Sequence, residues 1–162
     1  MSPILQWTES QGVVRNGYTL IELLVVLSIV AIVAGLGGGW LSSQVPAYRL
    51  NGAARLIRSD LLAARMQAVS QGNEFRILFD QPFQYTILDD DNNNGKQDVG
   101  EPVVSQDLRN EYHGVTFDAT NDPIFHPRGI ASNLATITLS NSAGEKSVTV
   151  SMTGRVRILT SR

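Results

Sequence analysis

Gly17-Tyr18-Thr19-Leu20-Ile21-Glu22-Leu23-Leu24-Val25-Val26-Leu27-Ser28-Ile29-Val30-Ala31-Ile32-Val33-Ala34-Gly35 is an apolar run with one charge in it, at Glu22, and no other charged residue follows until Arg49. A bilayer core of about 30 Å is crossed by about 20 mostly apolar helical residues. Residues 18–40 supply such a span, with Trp40 and Tyr48 placed as interfacial anchors at its outer end. A carboxylate inside an apolar span costs about 2.5–3.5 kcal/mol on insertion scales, so Glu22 asks for a partner. A secretory signal peptide is the rival reading, and Ala31 and Ala34 imitate its cleavage site. Its apolar region would start nearer the N-terminus and be shorter. Arg15 sets the leader on the cytoplasmic side under the positive-inside rule.

Residues 17–23 resemble the prepilin cleavage and methylation motif of type IV pilins and type II secretion pseudopilins, with Tyr18 where phenylalanine is usual. The resemblance implies cutting after Gly17 by a prepilin peptidase and N-methylation of Tyr18. It implies a helix kept in the bacterial inner membrane as a single pass, with the head in the periplasm. Glu22 then falls at the fifth mature position, and the resemblance implies that it pairs with the terminal amine of a neighbouring pilin or pseudopilin. The expected organisation is a cleaved leader over 1–17, a transmembrane and assembly helix over 18–45, and a periplasmic head over 46–162.

Gly35, Gly37 to Gly39 and Pro46 interrupt the helical pattern. Glycine costs a helix about 1 kcal/mol and proline about 3, so a soft point is expected there, with close packing through small residues as the other reading. Beyond Pro46, Leu50, Ala54, Ile57, Leu61, Ala64 and Ala68 recur at three and four, a stripe that must be buried. Gln71-Gly72-Asn73 ends the helix. From Glu74 the period becomes two: Phe75, Ile77 and Phe79, then Phe83, Tyr85 and Ile87. Further strands are expected at 103–104, 115–117, 135–139, 148–150 and 156–158, with hairpin turns at 141–144 and 153–154. The fold class is α+β, a pilin-like long N-terminal helix on an antiparallel β-sheet or β-sandwich head.

Phe125-His126-Pro127-Arg128-Gly129, Ala135 to Leu139 and Ser147 to Arg157 resemble the GspH/FimT head. That resemblance implies a minor subunit near the filament tip that helps to start assembly. Cysteine is absent from the 162 residues, which excludes disulfides, thiol catalysis and cysteine-ligated zinc. The net charge of −2 gives no global pull toward polyanions, yet ten of the fifteen acidic residues lie between Asp80 and Asp122. From Pro123 onward Arg128, Lys146, Arg155, Arg157 and Arg162 face Glu145 alone, so an anionic partner meets the C-terminal part.

Asp90 to Glu101 matches D-x-[DN]-x-[DN]-G-x5-E. In that template Asp90, Asn92, Asn94 and Glu101 supply side-chain oxygens to a structural calcium ion, Lys96 its carbonyl, and Asp98 binds directly or through water. The flanks read as strands rather than the helices of an EF-hand, and a plain solvated turn is the alternative. Gly154-Arg155-Val156-Arg157 puts two arginines on one strand face, a small phosphate-binding patch extended by Arg162. In FimT-like minor pilins a Gly-Arg-x-Arg element is associated with DNA binding in natural transformation, and this stretch is similar to it. The plain alternative is a solubilising edge strand. His113 and His126 stand in no metal or triad spacing, and the expectation is no enzyme. Three readings follow: a FimT-type minor pilin that primes a type IV pilus and binds DNA, an H-type pseudopilin of type II secretion, and a signal-anchored periplasmic binding protein.

Overall fold

The computed structural model describes residues 17–160, with backbone alone at 36–42 and 160. The chain divides into two units, Met1–Ser42 and Ser43–Arg162. The helix α1 (Leu20–Gln71) contributes to both.

In the first unit α1 opens on Thr19, whose Oγ1 accepts from the Glu22 N–H at 3.3 Å. Thr19-x-x-Glu22 is the spacing of a capping box, and a carboxylate in the first turn complements the positive end of the helix. Every described side chain from Gly17 to Gly35 is exposed. Among the described residues no helix is long and apolar enough to cross a membrane. The described run Leu20–Gly35 accounts for this, because at 1.5 Å per residue it reaches about 24 Å against the roughly 30 Å of a bilayer core.

The interruption expected at the glycines and Pro46 is corrected: backbone there is helical, and Pro46 lies inside α1. In the second unit the Asn141 Nδ2 donates to the Pro46 carbonyl at 2.7 Å, and the buried stripe begins one turn later.

The stripe is buried as expected, from Leu50 at 3% exposed to Ile57 and Ala68 at 0%. It meets two antiparallel sheets. One has the order β3-β2-β1-β5-β6, built from Val103–Asp107, Gln84–Asp90, Glu74–Asp80, Ile124–Phe125 and Ala131–Ser132. The other has the order β4-β7-β8-β9, built from Thr116–Ala119, Thr136–Asn141, Gly144–Val150 and Val156–Thr160. Phe75, Ile77 and Tyr85 of the first sheet share one core with Ile137, Leu139, Val148 and Val156 of the second. The rings of Phe79 and Phe117 join the sheets edge-on, 5.5 Å apart. The Tyr85 hydroxyl donates to Asp60 of α1 at 2.6 Å, which pins helix to sheet. Burial, with Asp60 beside it, pushes that phenol far above its ordinary range. Gly72, at φ +83°, closes α1 by donating to the Ala68 carbonyl.

Candidate functional site

Strand β9 alternates as its sequence asks: Val156 is buried and Ile158 half-buried, while Arg155 and Arg157 are exposed. Residues i and i+2 on one strand face stand about 7 Å apart. Arg155 and Arg157 line an open groove of about 300 Å³ together with Thr149, Ser151, Thr153 and Leu159. Gly154 gives this turn its shape. Its φ is +71°, and a Cβ there would collide with the Gly129 carbonyl and the Arg65 side chain. Arg65 in turn donates from Nε to that same carbonyl at 2.8 Å. The glycine of Gly-Arg-x-Arg is thus required by packing, whatever the arginines bind. Arg162 lies outside the described residues.

The acidic loop is closed by its own hydrogen bonds. Asp90, at 0% exposed, accepts from the N–H of Asn94 (3.0 Å) and Gly95 (2.8 Å) and from Arg76 Nε (2.7 Å). Burial raises its pKa, but the Arg76 guanidinium and the two loop amides outweigh that and hold it below the usual carboxylate range. Arg76 also pairs with Glu74 at 2.8 Å, and Glu74 meets His126 Nδ1 at 2.8 Å. The amides of Asn92 and Asn94 converge on Asp98 Oδ2. Glu101 Oε2 accepts from the Asp98 N–H, while Oε1 is buried with no hydrogen-bond partner among the described residues. Oxygen donors suit a hard cation such as calcium in kind. Among the described residues, however, no three of His, Asp and Glu are gathered to hold a metal. Lys96 uses its N–H on Asn94 Oδ1.

At the other end, Tyr18, Glu22, Leu23 and Val26 line an apolar groove of about 210 Å³ on α1. Gly17 and Tyr18 precede the helix, with Tyr18 at 87% exposed.

The model of the family described as "Type II transport protein GspH" matches residues 53–154, well over half of the chain. The chain belongs to the GspH family. A second model, the prokaryotic N-terminal methylation motif, matches residues 14–37. The pilin-like protein PilA1 of Thermus thermophilus is 31% identical over 156 residues, covering 89% of this chain and 98% of that protein. Among solved structures, the minor pseudopilin EpsH of the Vibrio cholerae type 2 secretion system superposes with a TM-score of 0.54 at 17% identity. That match covers 68% of this chain and 96% of EpsH. The type IV minor pilin FimU of Pseudomonas aeruginosa superposes with a TM-score of 0.56 at 18% identity, over 70% of this chain and 90% of FimU. At such identities the two structures speak for the fold, and they bear out the pilin-like α+β class.

The GspH match ends at Gly154, one residue before the arginine pair, so the family model and the arginines are independent observations. Membership in a family of pilin and pseudopilin structural subunits bears out the expectation that the chain is no enzyme. His126 is a case in point. Its second nitrogen lies 2.9 Å from Ser132 Oγ, so the ring ties β1 to β6. Two structural roles are not read from the sequence above: the Thr19 cap and the Arg76 lock on the loop. The Thr19-x-x-Glu22 spacing was there to be read. Glu74 stands two residues from Arg76 on the same strand, but the buried partner Asp90 comes from β2, and nothing local marks that pairing.

Proposed function

We propose that this GspH-family chain is a minor pilin that starts or caps a type IV pilus and binds DNA through Arg155 and Arg157. An H-type pseudopilin of a type II secretion system is the alternative, favoured by the description of the family itself. The observation that carries the DNA reading is the arginine pair. Arg155, just before β9, and Arg157, on it, are both exposed and line one open groove, and among the described residues neither is engaged by a carboxylate. Phosphate contacts of this kind give affinity without sequence preference.

Prepilin peptidase cuts after Gly17 in this reading, Tyr18 becomes the methylated terminus, and the helix anchors the chain in the inner membrane. The apolar side chains of α1, exposed in the single chain, are then covered by lipid before assembly and by neighbouring pilins after it. Glu22 meets the terminal amine of a neighbour. The acidic loop takes a structural calcium ion, held by Asp90, Asn92, Asn94, Asp98 and Glu101 with the Lys96 carbonyl. The buried, unpartnered Glu101 Oε1 supports this. Calcium would supply charge neutralisation and loop closure, nothing catalytic. Millimolar calcium should raise the melting temperature over chelator-treated protein in the wild type and not in Glu101→Ala.

The central test is DNA binding by the full chain in non-ionic detergent across a salt series. Binding that weakens with salt and is lost in Arg155→Ala plus Arg157→Ala is expected. An intact chain that fails to bind at low salt removes the DNA reading and leaves an assembly-priming subunit.

A further inference from the structure

The arginines divide by what they donate to. Arg76 and Arg109 are engaged with carboxylates. Arg49 and Arg65 donate to the carbonyls of His113 and Gly129. Among the described residues Arg55, Arg58, Arg128, Arg155 and Arg157 have no such acceptor and all five are exposed; of these, Arg58, Arg155 and Arg157 line the grooves beside β9.

Arg157 is where two grooves meet. The first is the groove it shares with Arg155. The second, of about 500 Å³, is lined by Arg58 of α1 and by Val156, Arg157, Ile158 and Leu159 of β9. Strand β9 is the last strand of its sheet and pairs with β8 alone among the described residues. The Ser151 N–H donates to the Arg155 carbonyl at 3.0 Å. Antiparallel ladders alternate, so 155, 157 and 159 turn their backbone groups to β8 while Val156 and Ile158 turn theirs to the open edge. The second groove therefore combines two guanidiniums with outward-facing backbone N–H groups. Both kinds of donor match anionic oxygen, and backbone amides together with arginine are a common phosphate-binding set.

We propose that the nucleic-acid track crosses the β9 edge rather than following the strand, and that Arg58 is its third phosphate contact. The inference rests on the DNA-binding reading above and adds a residue from another element, outside the Gly-Arg-x-Arg stretch. A backbone laid along β9 would meet Arg155 and Arg157 and stop. One laid across the edge passes from Arg157 to Arg58 over the free amides of Val156 and Ile158. An acidic protein strand added to the β9 edge is the competing occupant, and the test includes it.

Fluorescently labelled single- and double-stranded oligonucleotides serve as probes, with the full chain in non-ionic detergent. Each phosphate contact contributes a salt slope of about 0.9 for duplex and about 0.7 for single strands. Arg58→Ala should lower the slope by that amount and weaken binding on the order of 10-fold near 0.1 M salt. Arg58→Lys should restore the slope, since the charge is kept. Arg128→Ala, an exposed arginine lining neither groove, should match the wild type. If Arg155→Ala plus Arg157→Ala abolishes binding while Arg58→Ala keeps wild-type affinity and slope, the edge-crossing track is wrong and the DNA reading stands. A wild type that does not bind sinks the reading itself. Displacement of DNA by polyglutamate at equal charge concentration overturns the phosphate assignment in favour of an acidic protein segment.

Discussion

Replacing Asp90 by Ala tests whether the acidic loop is held from inside by Arg76. The carboxylate is fully buried and accepts one charge-assisted bond from Arg76 and two from loop amides. A hydrogen bond to a charged group contributes about 1.5–3 kcal/mol and an ordinary one about 0.5–1.5. With the Arg76 bond at the charged figure and the two amide bonds at the ordinary one, the three would sum to about 2.5–6 kcal/mol. Two effects reduce this. The mutation relieves the desolvation of a buried carboxylate, and Arg76 is not stranded, because Glu74 remains 2.8 Å from it. The loss should therefore fall near the lower end of the roughly 3–5 kcal/mol that follows breaking a buried pair. For a head of this size each kcal/mol moves the melting temperature by about 4 °C, so a fall on the order of 10 °C is expected. The assay is thermal unfolding of the full chain followed by the β-sheet circular dichroism, with and without chelator. The pH dependence carries the same information. Asp90 is more acidic folded than unfolded. Its stabilisation is present above the ordinary carboxylate pKa and is lost as pH falls through the depressed folded value. The variant should lack that part of the acid limb. A loss below about 1 kcal/mol, or an unchanged acid limb, would refute the argument that Arg76 and Asp90 lock the loop.

Gly154→Ala should destabilise the head by about 3 kcal/mol, since the left-handed backbone alone costs a side chain about 1–2 and the new Cβ meets the Gly129 carbonyl. A melting temperature within error of the wild type would contradict the required close approach. Glu22→Gln separates capping from assembly: glutamine keeps the capping box but loses the charge. Filament incorporation should be lost in Glu22→Gln as in Glu22→Ala, and wild-type incorporation of the glutamine variant would leave Glu22 a capping residue only.

The stripe from Leu50 to Ala68 was legible because one helix face packed on sheets leaves a period that single residues cannot disguise. Strands β1 and β2 were legible for the same reason, at period two, and the other five longer strands from short β-branched and aromatic runs between turn residues. Strands β5 and β6 were not: two residues each, they exist because Ile124 and Phe125 pair across to Arg76 and Phe75, and to Ser132 and Ala131. No periodicity fits in two residues. The helix break was misread for the opposite reason. Glycine and proline costs are local propensities, and the helix runs through both sites all the same.

The same division governs the sites. Motifs that act through consecutive backbone were readable: Gly17 to Leu23, the Asp90–Glu101 spacing, and Gly154 to Arg157. What each motif does was less so, because function depends on partners from elsewhere in the chain. Asp90, read as the first ligand of a cation loop, already has a cation, the Arg76 guanidinium from a neighbouring strand. A metal bound there must coexist with that arginine, drawing on the lone pairs that Asp90 Oδ1, Asp98 and Glu101 Oε1 keep. With calcium bound as proposed, the loop would be held twice, once by the protein and once by the ion, and calcium removal should soften it without unfolding the head. The arginine pair follows the same logic. Two guanidiniums on one strand are a charge pattern in the sequence. They become an extended surface only because α1 brings Arg58 to the β9 edge.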